Sequence, residues 1–172
     1  MKSKNTKNCC EEKVSDCICY YGTYSQSSCN GNNMMKKKDC KDEVFWEGAA
    51  IIEELPSESN VPFKAKWIAG SSIKQVSPTM IYLKANRRYM VNYDIKLYVG
   101  ESGYGTVIPR INEEEVTSGI AKSNEPNEKG EVKLAKSFEI ITDECAAALD
   151  FLITGSECFL NGRGLLFITE LK

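Results

Sequence analysis

The chain has 172 residues, of which 42% are apolar and 27% charged, and its formal net charge is −2. These totals fit one ordinary globular domain with an appendage. Neither nucleic-acid nor membrane-surface binding is indicated, because both require a concentrated basic field. The chain holds no histidine, which removes the commonest general base and the commonest transition-metal ligand. We therefore expect no enzymatic activity and no cofactor.

Neither a membrane helix nor a signal peptide is predicted. The longest apolar run covers residues 164–168, far short of the roughly 20 residues that a membrane-spanning helix needs. The basic start, Met1–Asn5, is not followed by an apolar stretch, as a signal peptide would require. We expect synthesis in a cytosol, with maturation there or release by lysis.

The cysteines divide the chain into two parts. Six of the eight lie in the first forty residues: Cys9, Cys10, Cys17, Cys19, Cys29 and Cys40. Few other residues of that segment could form a core, so burial cannot offset its ordering entropy, and disulfides, a metal or a partner subunit would have to order it. Charge changes as well, from +2 through Glu43 (8 lysines against 6 acidic residues) to −4 beyond it (14 basic against 18 acidic). We predict a cysteine-rich arm at residues 1–43 and a domain at 44–172.

Three interpretations of the arm are open. Thiolates from Cys9-Cys10 and Cys17-Ile18-Cys19 could bind zinc, although zinc sites usually pair ligands two to four residues apart. The cysteines could form an internal disulfide knot. They could also bridge subunits, because adjacent residues such as Cys9 and Cys10 lie only about 3.8 Å apart at Cα and do not readily pair with each other. All six are candidates for intersubunit disulfides, and Cys145 and Cys158 are candidate acceptors, buried thiols or an internal pair.

From Val44 onward, apolar residues recur with a period of two, which indicates β-strands. In Arg88–Val99 the odd-numbered residues are apolar or aromatic, and the same alternation covers Phe63–Trp67, Val132–Ile140 and Leu149–Ile153. Leu165–Leu171 is apolar enough to be a central strand covered on both faces. Turn residues separate these runs, and Gly100–Gly105 is predicted to be a hairpin loop. The pattern predicts an all-β sandwich or jelly roll.

Residues that could carry chemistry have simpler interpretations. Glu113–Glu115 and Glu53-Glu54 lack the spacing of a calcium loop and are expected to be solvated. Trp46 and Trp67 are expected in the core rather than at a sugar-binding surface. No catalytic, cofactor-binding or metal-binding residue is predicted.

Three segments carry a resemblance to a known family. Met80–Ile95 resembles the "leucine, small residue, Tyr-x-Val-x-Tyr" signature of bacterial TNF-like jelly rolls, which are similar to the complement globular head and to the C-terminal domains of exosporium collagen-like glycoproteins. Val107–Asn112 and Gly164–Leu171 resemble the following and terminal strands. The resemblance covers residues 44–172 and implies a ten-strand-type jelly roll, often trimeric, on a spore surface.

The Gly-X-Y stalk that those glycoproteins carry ahead of the domain is missing from this chain. In its place, the arm resembles the N-terminal connector of spore-appendage (endospore pilus) subunits, which forms disulfides to neighbouring subunits.

The sequence thus favours a structural, self-assembling subunit of a bacterial spore-surface fibre or layer (exosporium, coat or appendage), cross-linked through the arm. Its partners would be copies of itself, as a trimer, another homo-oligomer or a filament, and other spore-surface proteins, with no nucleic acid or membrane involved. One alternative is a trimeric TNF-like recognition head, an adhesin or ligand-binding module anchored by its arm. A second alternative is a zinc-stabilised scaffold.

Overall fold

The computed structural model describes residues 44–172, which are almost entirely β. The strands are β1 (Phe45–Pro56), β2 (Ser59–Asn60), β3 (Lys64–Ala69), β4 (Ile73–Ser77), β5 (Met80–Leu83), β6 (Arg88–Tyr98), β7 (Gly105–Ile111), β8 (Glu114–Glu115), β9 (Ala121–Ser123), β10 (Glu131–Ile141), β11 (Ala147–Gly155) and β12 (Cys158–Leu171). The only helical element in this range is a three-residue 3₁₀ turn at Thr117–Gly119, so residues 44–172 contain no membrane-spanning helix.

The strands form two sheets that pack face to face. Sheet A has the order β10-β6-β12-β1-β3, and sheet B has the order β4-β5-β11-β7-β8, with β2 and β9 also pairing on β11 and β7. From β6 onward the long strands alternate between the sheets: β6, β10 and β12 lie in sheet A, and β7 and β11 lie in sheet B. The Gly100–Gly105 prediction is wrong, because this segment leads from β6 in sheet A to β7 in sheet B and therefore crosses the sandwich instead of closing a hairpin.

The core consists of the inward-pointing side chains, which are alternate residues along the strands of both sheets. The predicted inward set of β6 is confirmed, since Tyr89, Val91, Tyr93, Ile95 and Leu97 are at most 3% exposed. The predicted inward residues of β10 and β11 are buried as well: Val132, Leu134, Phe138, Ile140, Leu149, Phe151 and Ile153. The alternation arises because successive side chains of a strand point to opposite faces.

Tyr93 joins the two sheets at the centre of the core. Its ring makes edge-to-face contacts with Phe138 of sheet A and Phe151 of sheet B, with ring centroids 6.4 and 5.5 Å apart. Its hydroxyl donates a hydrogen bond of 2.7 Å to the carbonyl oxygen of Gly119. Burial raises the pKa of Tyr93, so the hydroxyl remains a neutral donor that satisfies a backbone group inside the sandwich.

The two tryptophans have different environments, and the prediction for Trp67 is wrong. Trp46 is fully buried, whereas Trp67 is 55% exposed on the side of sheet A that faces away from sheet B. The reason is a β-bulge in β3: Trp67 pairs with Glu47 while Ala65 pairs with Gly48, so Lys66 is an extra residue. One extra residue reverses the alternation beyond it, and Trp67 therefore points away from the core although Phe63 points into it.

β12 is central in sheet A, as predicted, but it is not covered on both faces within residues 44–172. Leu166 and Ile168 are fully buried between the sheets, whereas Leu165 and Phe167 on the opposite side are 48% and 39% exposed. The strand is therefore apolar on both sides, and only its inward side belongs to the core of this sandwich.

Gly48 provides space for the largest core side chain. Residues 46 and 48 share one face of β1, and a Cβ atom added at Gly48 would overlap the indole ring of Trp46. We expect Gly48→Ala to lower the free energy of unfolding by about 1–3 kcal/mol, the usual cost of overpacking a core. Urea denaturation followed by tryptophan fluorescence measures the change. Ala49→Ser, on the opposite face of the same strand, is the control; an equal loss in both variants would contradict the steric explanation.

Candidate self-association surface

The six cysteines predicted to form intersubunit disulfides, Cys9, Cys10, Cys17, Cys19, Cys29 and Cys40, lie outside the described residues. The boundary at residue 43 and the role of the arm stay predictions.

The two remaining cysteines lie at opposite ends of β11. Cys145 is exposed in the segment that precedes this strand. Cys158 is half-buried at the start of β12, with its sulfur 3.7 Å from Oε1 of Glu54. The nine residues of β11 span about 30 Å at the usual strand rise, while a disulfide requires Cα atoms roughly 4–7 Å apart. A bond between these two cysteines is therefore excluded, and their role as acceptors for the arm stays a prediction.

The carboxylate groups considered from the sequence do not converge on a cation site. Within residues 44–172, no cluster of three or more cysteine, aspartate or glutamate side chains is arranged to hold a metal ion. Glu114 and Glu115 form the exposed strand β8, and Glu53 and Glu54 are exposed near the end of β1. This agrees with the prediction that these residues are solvated.

The outer face of sheet A, which points away from sheet B, has an apolar half. β3, β1 and β12 are neighbours there, and their outward residues include Phe45, Ala49, Ile51, Trp67, Leu165 and Phe167, which we call the apolar patch. Phe45 and Phe167 stack with their rings 6.1 Å apart and inclined by only 8°. Ile51 is 74% exposed and Trp67 55% exposed. Contiguous exposed apolar side chains of this kind mark interaction sites, whereas single ones do not.

Charged residues lie within and beside the apolar patch. Glu47 lies between Trp67 and Phe167 across the three strands, and Arg163 lies beside Ile51. Lys64 of β3 lies beside Ala49 of β1. None of the ion pairs formed within residues 44–172 involves Glu47, Lys64 or Arg163. The apolar patch therefore contains one carboxylate, Glu47, and has two cations, Lys64 and Arg163, at its margin.

The other half of the outer face is mostly polar, with Tyr98 and Ile141 as its exposed apolar side chains, and its charges are paired within the sheet. On β6 and β10 the ion pairs are Arg88–Glu139 and Lys96–Glu131 at 2.6 Å and Lys133–Asp94 at 2.8 Å. The hydrogen bond from Arg88 lowers the pKa of Glu139, and hydrogen bonds from Asn127 and then Lys96 lower the pKa of Glu131. This half needs no counter-charge from a partner, which leaves the apolar patch as the part of the face suited to association.

Sheet B carries a different feature on its outer face. Both carboxylate oxygens of Asp150 accept hydrogen bonds from Arg110, at 2.7 and 3.0 Å, and Arg110 also donates to Oδ1 of Asn60 at 3.0 Å. The hydrogen bonds that Arg110 donates to the Asp150 carboxylate raise the pKa of Arg110. The three residues connect β7, β11 and β2, so the cluster is a structural cross-link between strands that are distant in sequence.

The comparisons with known proteins support the fold. No protein-family model matches the chain, and no curated protein does. Among solved structures, murine APRIL at pH 5.0 is similar with a TM-score of 0.57 and 8% identity, covering 74% of this chain and 98% of that one. The PRD1 vertex protein P5 is similar with a TM-score of 0.52 and 7% identity, covering 76% and 99%. These likenesses concern the fold alone, and they confirm the predicted TNF-like jelly roll. The relation to exosporium or spore-appendage proteins stays a prediction.

Sequence reasoning missed both the apolar patch and the Arg110 cluster. The alternation of Leu165 and Phe167 with Leu166 and Ile168 did reveal a strand that is apolar on both sides. The position of Trp67 beside that strand depends on the bulge at Lys66, which only the pairing with β1 reveals. Likewise, Arg110 and Asp150 become neighbours through the register of β7 against β11.

The Arg110 cluster allows a test of its structural role. The side chains of Arg110 and Asp150 are only 21% and 9% exposed, so Arg110→Met would leave a largely buried carboxylate without its partner. We expect a loss of about 3 kcal/mol in the free energy of unfolding, measured by urea denaturation. Arg110→Met/Asp150→Leu should lose less, because it removes the unpaired charge. Arg88→Met, in an exposed pair, is the control and should change stability little. A double variant less stable than Arg110→Met would contradict this interpretation.

Proposed function

We propose that the chain is a structural subunit that associates with copies of itself through the apolar patch and is cross-linked to its neighbours by cysteines of residues 1–43. The observation that carries the first part is the apolar outer side of β12, where Leu165 and Phe167 continue the surface of the half-buried Phe45 and the exposed Ile51 and Trp67. Burying such side chains stabilises an association by about 25 cal/mol per Å² before the entropic costs of binding.

A second copy fits the patch better than a strongly charged partner does. Glu47 lies inside the patch, while Lys64 and Arg163 lie at its margin. Two copies that meet through their patches can pair Glu47 of each with a cation of the other, so that neither leaves a carboxylate unpaired. An unpaired carboxylate buried at the interface would be costly. The need to pair Glu47 with a cation therefore restricts the relative orientation of the two copies as well as contributing to affinity.

The cysteines would make the association resistant to dissociation. Each bridge between subunits is worth about 2–4 kcal/mol by analogy with intramolecular disulfides. Cys9 and Cys10 are the preferred residues, because they are furthest from the domain in sequence and cannot readily pair with each other. The assignment to a fibre or layer on a bacterial spore surface rests on the resemblance of residues 44–172 and of the arm to proteins of that setting.

The apolar patch supports a second candidate function, a trimeric recognition head whose patch binds another protein. The two functions differ in the behaviour of the purified chain. A structural subunit associates with itself through the patch, whereas a head that reserves the patch for another protein leaves Leu165 and Phe167 accessible in its own assembly.

A charge in the patch tests the proposed contact. We expect Phe167→Glu to weaken self-association of the full chain in the presence of reductant by at least about tenfold, as loss of an aromatic hot-spot residue does. Light scattering during size-exclusion chromatography measures the association. The matched control is Tyr82→Glu, because Tyr82 is similarly exposed (45% against 39%) but lies on sheet B. If both variants associate like the wild type, the patch is not the contact.

The cross-links have their own test. We expect the wild-type chain to give a ladder of species on a non-reducing gel and fibres or sheets in negative-stain images, and reductant should collapse the ladder to the 19.2 kDa monomer. Cys9→Ser/Cys10→Ser should shorten the ladder, and Cys158→Ser tests whether the half-buried thiol of the domain is an acceptor.

A soluble trimer that reductant does not change would contradict the cross-linking and favour the recognition head. Stoichiometric zinc, with structural loss on chelation, would instead favour a zinc-stabilised scaffold. Because the patch variants are measured in reductant, failure of the contact and failure of the cross-links are separate results.

A further inference from the structure

Most free edges of the two sheets are unsuited to pairing with another strand. β8 and β9, at one edge of sheet B, have only two and three residues. At the opposite edge, β4 has a bulge between Gln75 and Ser77. In sheet A, the edge strand β3 has the bulge at Lys66. Short strands and bulges are the usual means by which sheets avoid edge-to-edge association.

The edge of β3 is also occupied by a side chain. Gln75 accepts a hydrogen bond of 3.2 Å from the backbone N–H of Ala65 and donates one of 2.6 Å to the carbonyl oxygen of Phe63. These two backbone groups are therefore not available to an incoming strand.

β10, the remaining edge of sheet A, is different, because it is long and regular. It pairs with β6 in one continuous register over eleven residues. Thr142 donates its N–H to the carbonyl oxygen of Arg87, and Gly130 accepts from Val99. In an antiparallel pair, only every second residue directs its backbone groups to the neighbouring strand. The even-numbered residues of β10 therefore bond to β6, and the odd-numbered residues direct their N–H and C=O groups to the free edge. At Glu131 the free edge of β10 is occupied by Asn127, which bonds to both backbone groups of Glu131. From Lys133 to Ile141, no strand within residues 44–172 pairs with this edge.

The sequence of β10 is complementary to itself. If a second copy paired antiparallel with the two-fold axis at residue 136, Lys133 of each copy would lie opposite Glu139 of the other. Ala135 would lie opposite Ser137, and these odd-numbered pairs would exchange the free backbone hydrogen bonds. Lys133 and Glu139 already pair with Asp94 and Arg88 within their own sheet. Because opposite charges across a strand pair are stabilising, the register adds attraction and no repulsion among the outward side chains.

Lys136 opposes it. Lys136 shares the core-facing side of β10 with Leu134 and Phe138 and lies opposite Tyr93 of β6, yet it is exposed at the edge. At the two-fold axis the two Lys136 residues would form a non-hydrogen-bonded pair, in which Cα atoms approach to about 4.5 Å. Like charges directly opposite are destabilising, and an inward-pointing charge is a known protection of edge strands.

We propose that the β10 edge is a surface complementary to a second copy of itself, and that Lys136 keeps it closed. Lys136 is the residue of this edge whose charge meets its own copy in the two-fold register. Copies of the chain consequently do not extend sheet A from one subunit into the next.

The test is Lys136→Val in the full chain with reductant present. We expect dimerisation at least tenfold tighter than in the wild type, measured by analytical ultracentrifugation. The backbone amides of Ala135, Ser137 and Glu139 should become protected from hydrogen exchange. Lys133→Val is the matched control: it removes the same charge from the outward side of the strand, keeps Lys136, and should not dimerise further. Lys136→Val/Glu139→Lys should lose the gain, because Lys133 would then face a lysine.

The proposal is overturned if Lys136→Val associates no more than Lys133→Val, or if it associates without new protection of the three amides. Circular dichroism checks folding, and Lys136→Thr replaces the valine variant if that one does not fold. Each variant is also made with Phe167→Glu. The gain should persist in that background, so the result does not depend on association through the apolar patch.

Discussion

A strand has two faces, and the core of a sandwich can cover only one of them. The fold depends on this constraint most visibly in sheet A, where β6 and β12 lie side by side. Their inward residues, such as Tyr93 and Leu166, are packed against sheet B. Their outward residues differ: β6 carries Asp94 and Lys96, whereas β12 carries Leu165 and Phe167. The inward set fixes the fold, and the outward set decides which part of the sheet is polar and which part, on the proposed function, contacts a partner.

The same constraint explains how much of the structure could be predicted. The inward residues of β6, β10 and β11 were predictable, because alternation within one strand is a local property of its sequence. Trp67 was not, because the bulge at Lys66 exists only in the pairing of β3 with β1. The proximity of Arg110 to Asp150, forty residues later, likewise depends on a register between strands. Errors thus concentrate where a residue's surroundings are set by a distant strand.

Lys136 is an intermediate case. The alternation of Leu134 and Phe138 predicts that Lys136, which lies between them, is on the core side of its strand. In a central strand, burying a charged side chain at this position would cost much free energy. Lys136 is tolerated in β10 because this strand is an edge, where the long side chain can reach water. The sequence therefore contains the anomaly, and the order of the strands in sheet A provides its explanation.

A contact through a face and a contact through an edge have different consequences for assembly. Edge pairing relies on backbone groups that every strand possesses, so an open edge accepts many partners. A face contact relies on particular side chains. In the proposed contact these are the apolar patch with Glu47 inside it and Lys64 and Arg163 at its margin, and such a set selects both partner and orientation. On the proposed function, such a contact would also hold two subunits close enough for their N-terminal cysteines to react at a high effective concentration. Disulfides would then form between correctly associated copies, which requires that the edges stay closed to other pairings.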